Sequence, residues 1–104
     1  MAKFVLVYSG GGPMPQTDAE REAVMAAWTG WFEGLGSAVV DAGNPFSGSS
    51  TVTAGGVSDG SGSGINGYSI LEAEDLAAAV EMAKGCPMLS AGGTAEVHET
   101  LEIM

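Results

Sequence analysis

The chain has 104 residues and a formal net charge of −10 at neutral pH, with thirteen acidic side chains against three basic ones. That length holds a single domain with one core, spanning residues 1–104, and a hydrophobic content of 45% excludes disorder by composition. Lys3, Arg21 and Lys84 are too few to neutralise a phosphate backbone or an anionic membrane, and no apolar run approaches a membrane span, so nucleic-acid and membrane roles are excluded.

Residues 3–8, KFVLVY, are β-branched and aromatic, with Phe4, Leu6 and Tyr8 pointing one way and Val5 and Val7 the other. A strand apolar on both faces needs cover on both sides. SGGGPMPQ (9–16) is a turn segment. Its GGGP lacks the Lys-Ser/Thr of a phosphate-binding loop and the spacing of a dinucleotide fingerprint. TDAE (17–20) has the form of a capping box, and the helix it opens runs to about Leu35. Val24, Trp28, Trp31 and Leu35 form its apolar stripe, flanked by Met25 and Phe32, as expected of a helix lying on a sheet. Ala26, Gly30 and Gly34 make a second stripe of small residues.

SAVVDAG (37–43) reads as a second strand ending in the turn GNPF (43–46), and STVTAGGV (50–57) as a third. After the connection SDGSGSGING (58–67), GYSILEA (67–73) is a fourth strand, with Tyr68 and Ile70 opposite in sense to Ser69 and Leu71. Asp75 caps a helix through Lys84 with Leu76, Val80 and Ala83 facing inward. Gly85 is the expected left-handed terminator and Pro87 prevents continuation. TAEVHETLEIM (94–104) alternates as a final strand, Val97, Leu101 and Ile103 against Glu96, His98, Thr100 and Glu102.

The order β-α-β-β-β-α-β predicts a ferredoxin-like α+β subunit, two helices on one face of a mostly antiparallel sheet. No element remains to cover the other face, and a twofold homodimer with two sheets meeting is the simplest cover.

KFVLVYSGG, W..WF..LG..VVDAGNPF, GYSILEAEDL..AVEMAKGCPML and GGTAEVHETLEI together resemble the YCII-related family, in particular its actinobacterial branch with paired tryptophans and a GNP turn, from about residue 2 to 103. The resemblance implies a ferredoxin-like subunit dimerised as an α+β barrel, usually of unknown function. Some relatives carry a histidine on the first helix and an aspartate after the second, proposed for acid–base chemistry. The histidine's place falls here near Ala26 to Trp28, and the aspartate's is held by Cys86. A DGPFAETKE segment found in a related subgroup is replaced by SDGSGSGIN. The resemblance therefore supports the fold and the dimer and weakens the case for inherited acid–base catalysis.

Four residues remain as candidate ligand contacts. Cys86, the lone cysteine, follows a helix C-terminus whose dipole raises a thiol pKa, which suits a buried or pocket-lining residue better than a nucleophile. His98 needs a carboxylate partner to act as a base, and Glu96 or Glu102 could supply it, although the same pattern fits a solvated strand face. Glu99, outside these four, breaks the apolar alternation, at a barrel mouth or as a buried acid. Trp28 is core, pocket wall or both, and Asn44 sits in a turn that could rim a cleft. One Cys and one His do not make a zinc shell, so neither metal nor cofactor is expected.

Three functions fit: a dimeric small-molecule-binding module with an apolar cleft between first helix and sheet, a barrel enzyme of isomerase or lyase type acting on a small aromatic or lactone-like substrate, and an accessory dimer without a ligand. The expected partner is a second copy, as a dimer or higher oligomer. The absence of disulfide pairing and of a signal-peptide pattern makes the cytoplasm the expected compartment.

Overall fold

A computed structural model describes residues 1–12 and 15–103. Pro13, Met14 and Met104, which fall in the expected turn segment and final strand, lie outside the described residues. The architecture is α+β. Strands β1 (Ala2–Ser9), β2 (Val39–Asp41), β5 (Ile65–Ala73) and β6 (Thr94–Glu99) form one sheet in the order β2-β5-β1-β6. All its pairings are antiparallel. Helices α1 (Asp18–Leu35), α2 (Leu76–Ala83) and the single turn α3 (Pro87–Ser90) connect them. Among the described residues no helix is long and apolar enough to cross a membrane.

The two central strands pair from Ala2↔Ala73 to Tyr8↔Gly67, which puts Phe4, Leu6, Tyr8, Leu71 and Ser69 on one face. All five are buried, as the alternation of KFVLVY requires. Both expected caps form. Thr17 Oγ1 accepts from the Glu20 amide at 3.1 Å while Glu20 Oε2 accepts from the Gln16 amide, and Asp75 Oδ1 accepts from the Ala78 amide at 2.8 Å.

Several expectations need correction. The third strand is a hairpin, β3 (Ser50–Thr53) and β4 (Gly56–Asp59), reversed at Ala54–Gly55 and forming a separate two-stranded sheet. Gly56 at φ 142 takes a conformation that a straight strand of L-residues does not allow. The second strand is shortened to Val39–Asp41 by a 3-10 turn over Gly36–Ala38. On α2 the buried face is Ala79 and Ala83, with Leu76 and Val80 left exposed. Alanines let the helix come close over Phe4, Leu6 and Leu71, displacing the larger side chains to its flank. Val24 and Met25 are exposed, because α1 rests on its last turns, from Trp28 onward. Gly85 is not left-handed. It is a close-approach glycine, since a Cβ there would lie 3.2 Å from Trp31 Cδ1. The last strand stops pairing at Glu99, and only Thr100 follows, its amide and hydroxyl both donating to the Lys3 carbonyl. Beyond it β1 has only its first residues to offer.

The chain exposes 6903 Å². A compact monomer of 10.4 kDa exposes about 5,400 Å² by the usual size scaling, so about 1,500 Å² is surplus. The radius of gyration, 15.0 Å, likewise exceeds the roughly 13 Å expected at this length.

Candidate functional site

The sheet divides the four candidate residues. Trp28 and Cys86 lie on its helix side, His98 lies on the opposite face, and Asn44 is exposed in the turn between β2 and the hairpin.

On the helix side the aromatic residues form a continuous cluster. Tyr8 meets Trp28 edge-on at 5.2 Å between ring centroids, Trp28 meets Trp31 at 5.8 Å, and Phe32 lies 5.0 Å from Trp31. Trp31 Nε1 donates to the Met82 carbonyl at 3.1 Å, fixing that ring to α2, while Trp28 packs against the core and stays partly exposed. From Asp18 to Ala27, every residue of α1 is exposed. Its backbone comes nearest to α3, while Trp28, Trp31 and Leu35 reach the core beneath. Trp28 is therefore both packing residue and wall.

Beneath these rings lie two titratable groups. Tyr8 donates its hydroxyl to Ser69 Oγ at 2.8 Å, and Ser69 in turn donates to the Ala42 carbonyl at 2.7 Å. Burial pushes the Tyr8 phenol up to about 12, against the lowering effect of the Ser69 hydrogen bond and with a small push from nearby Cys86. Burial also pushes the Cys86 thiol up, outweighing the Met88 and Leu89 amides that would favour a thiolate. The direction matches the sequence reading, but the cause is desolvation. Cys86 caps the start of α3 as well as following α2. At neutral pH both groups keep their protons, so the surface beneath these rings is apolar and uncharged.

The turn carrying Asn44 is fastened to the edge of that surface. Gly43, at φ 74, accepts its conformation because a Cβ would fall 1.8 Å from the Tyr68 carbonyl oxygen, and Asp41 Oδ1 accepts from its amide. Pro45 bridges to Gly67, whose missing side chain leaves room for the Asn44 carbonyl and the Tyr8 ring. Ser69 and Gly67 are the positions that sequence reasoning missed. Their signal was small residues at alternate positions on an otherwise large-residue strand.

On the open face, His98 Nε2 lies 2.9 Å from Glu96 Oε1, with both side chains more than half exposed. Ser9 and Thr94 share a hydrogen bond at 2.6 Å nearby on the same strand pair. The apolar part of this face is Val5, Val7, Tyr68 and Ile70, all half-buried, with Phe46 stacked on Tyr68 at 6.0 Å. Glu99, on the helix-side face, is exposed. A hollow of about 570 Å³ beside the hairpin, lined by Phe46, Ser50, Val52, Ser61 and Ile65 among others, holds no titratable side chain and none of the four candidates. Among the described residues no three His, Cys, Asp or Glu side chains gather closely enough to hold a metal ion.

No curated protein matches the chain. The model of the YCII-related domain matches residues 4–102, which takes in the main sheet, apart from the first two residues of β1, and the helices between its strands. The chain belongs to the YCII-related family.

Proposed function

We propose that this protein acts as a homodimer that binds a small, uncharged, largely apolar molecule against the Trp28 side of the aromatic cluster, between α1 and the sheet. The observation that carries this reading is the pairing of an incompletely covered aromatic wall with two titratable groups, Tyr8 and Cys86, both held neutral by burial. A site built for proton transfer needs a group poised near the working pH, and neither of these is. Binding by shape and ring stacking needs no such group. Asn44, at the neighbouring turn, supplies the polar rim.

The dimer is supported by the surplus surface of about 1,500 Å², roughly twice what one partner buries in a standard interface, and by the half-covered apolar patch of Val5, Val7, Tyr68 and Ile70. Two such patches meeting would cover the face that the chain's own helices do not reach. A soluble cytoplasmic protein is the matching compartment.

A thermal-shift screen with hydrophobic metabolites tests the binding reading. A ligand at about one hundred times its Kd stabilises by about 2.7 kcal/mol, and Trp28→Ala abolishes the shift while Trp emission of the parent responds to the same compound. A panel that leaves both melting and emission unchanged at saturation sinks the proposal. Val7→Lys, read by sedimentation, halves the mass if the open faces meet. The enzyme alternative, an isomerase or lyase on a small aromatic or lactone-like substrate, rests on the hydrogen-bonded pair of His98 and Glu96, and His98→Ala must then abolish turnover.

A further inference from the structure

The two tryptophans of α1 differ in what their indole N–H groups meet. Trp31 Nε1 donates to the Met82 carbonyl, so its hydrogen bond is already made. Trp28 Nε1, about one turn earlier, donates to no group among the described residues. Every buried side-chain nitrogen and oxygen among those residues has a partner, so an N–H without one must reach the surface. The partial exposure of Trp28 agrees.

The polar groups beneath the rings are turned on one another. Tyr8 gives its proton to Ser69, and Ser69 gives its own to the Ala42 carbonyl. The Cys86 sulfur faces the Met88 and Leu89 amides. The cluster of Tyr8, Trp28, Trp31 and Phe32 is thus apolar apart from one strong donor, and that donor is open.

An indole N–H donates and never accepts. It lies in the plane of the ring, so a molecule that accepts from it meets Trp28 edge-on, its apolar part against the neighbouring ring carbons. A hydrocarbon at this edge takes the N–H away from water and returns nothing, which is the costly case. A carbonyl oxygen satisfies it. A carboxylate would also accept, but thirteen acidic side chains against three basic ones oppose an anion at this surface.

We propose that Trp28 Nε1 is the specificity contact of the site, and that the molecule bound there is a neutral ketone, ester or lactone whose carbonyl oxygen accepts from it. This rests on the apolar-ligand reading of the same site and adds the one polar group that the ligand carries.

A matched pair of probes isolates that oxygen. α-Tetralone and tetralin are one fused bicycle with and without a carbonyl, and Trp28→Phe keeps an aromatic ring while removing the N–H. The compounds differ in hydrophobicity, so the quantity read is the ratio of their Kd values, compared between parent and variant by calorimetric titration. In Trp28→Phe that ratio moves against the ketone by on the order of tenfold. A second readout needs no variant affinity. The Trp28 indole N–H resonance, identified by its absence from Trp28→Phe, moves to lower field with α-tetralone, and that of Trp31 moves less because its bond to Met82 is already made. An unchanged ratio, or an N–H resonance that both compounds move alike, overturns the carbonyl contact and leaves the apolar site standing. Failure of both compounds to bind the parent is a different result, and it sinks the ligand site together with this contact.

Discussion

The two faces of the main sheet are built from the same strands, one residue out of step, and they are opposite in chemistry. On the helix side Phe4, Leu6 and Leu71 are fully buried, and the polar groups among them form a closed chain from the Tyr8 hydroxyl through Ser69 to the Ala42 carbonyl. On the open side Val5, Val7 and Ile70 are half-covered, and Glu96 and His98 are paired at the solvated surface. A period of two is enough to separate buried from solvated polar groups by the thickness of a strand. It also means that Cys86 and His98 cannot cooperate within one chain, because the sheet lies between them.

The largest effect expected from breaking this contrast is at Phe4. Phe4→Ala removes a fully buried ring and costs about 3–5 kcal/mol in urea unfolding. Val5→Ala, its neighbour on the open side, costs well under half of that in dilute protein. If the cost at Val5 rises with protein concentration, the open face is covered by a second copy. If it does not, that face is water-facing and the face-to-face dimer fails.

Ser69 comes next. It is 1% exposed and serves both Tyr8 and Ala42. Ser69→Ala leaves the buried Tyr8 hydroxyl and the part-buried Ala42 carbonyl short of a partner, which costs about 1–3 kcal/mol. The double variant with Tyr8→Phe loses less than the sum of the two single variants, since one shared bond is counted twice. Strict additivity would show that the chain of hydrogen bonds is not coupled.

The same pair sets a pH signature. The unfolded phenol ionises near 10.0 while the folded Tyr8 holds its proton to about 12. Across that window the unfolded state binds fewer protons, so stability falls as pH rises, and below it the full contribution is present. Cys86, raised in the same direction, begins the decline from the thiol range. In Tyr8→Phe the urea midpoint stops falling between pH 10 and 12 beyond the Cys86 contribution, and an unchanged profile would place the phenol in water.

These features were unequally legible in the sequence. The strand of Phe4, Leu6 and Tyr8 and both capped helix starts at Thr17 and Asp75 were readable because each rests on local periodicity or a side chain bonding to a nearby amide. The hairpin was hidden because Val52 and Val57, 74% and 70% exposed, keep a strand-like composition across the turn, and only the paired glycines Gly55 and Gly56 betray it. The buried face of α2 was misread for a related reason. Hydrophobicity favours Leu76 and Val80, whereas the fit of a helix over Leu6 and Leu71 favours Ala79 and Ala83, and fit depends on a neighbour that the local pattern does not contain. Of the candidate site, the separation of His98 from Cys86 follows from strand parity once the register is known. The neutrality of Tyr8 and Cys86 follows from burial, which no spacing encodes.

The smallest effect separates α1 from the strands it hangs beside. Gly30 lies in mid-helix with ordinary helical φ, and a Cβ built on it meets nothing within 4 Å. Alanine there gains helix propensity and reduces the freedom of the unfolded chain, so Gly30→Ala stabilises by about 0.5–1 kcal/mol and raises Tm by a few degrees, roughly 4–8 °C per kcal/mol for a domain of this size. Gly34→Ala, equally open, behaves alike. The gain holds in dilute protein only if that side of α1 faces water. Should both variants instead melt lower, or should the parent's oligomer weaken with either, a backbone approaches the stripe of Ala26, Gly30 and Gly34 in the assembled protein, and α1 is an interface helix rather than the outer wall of the site.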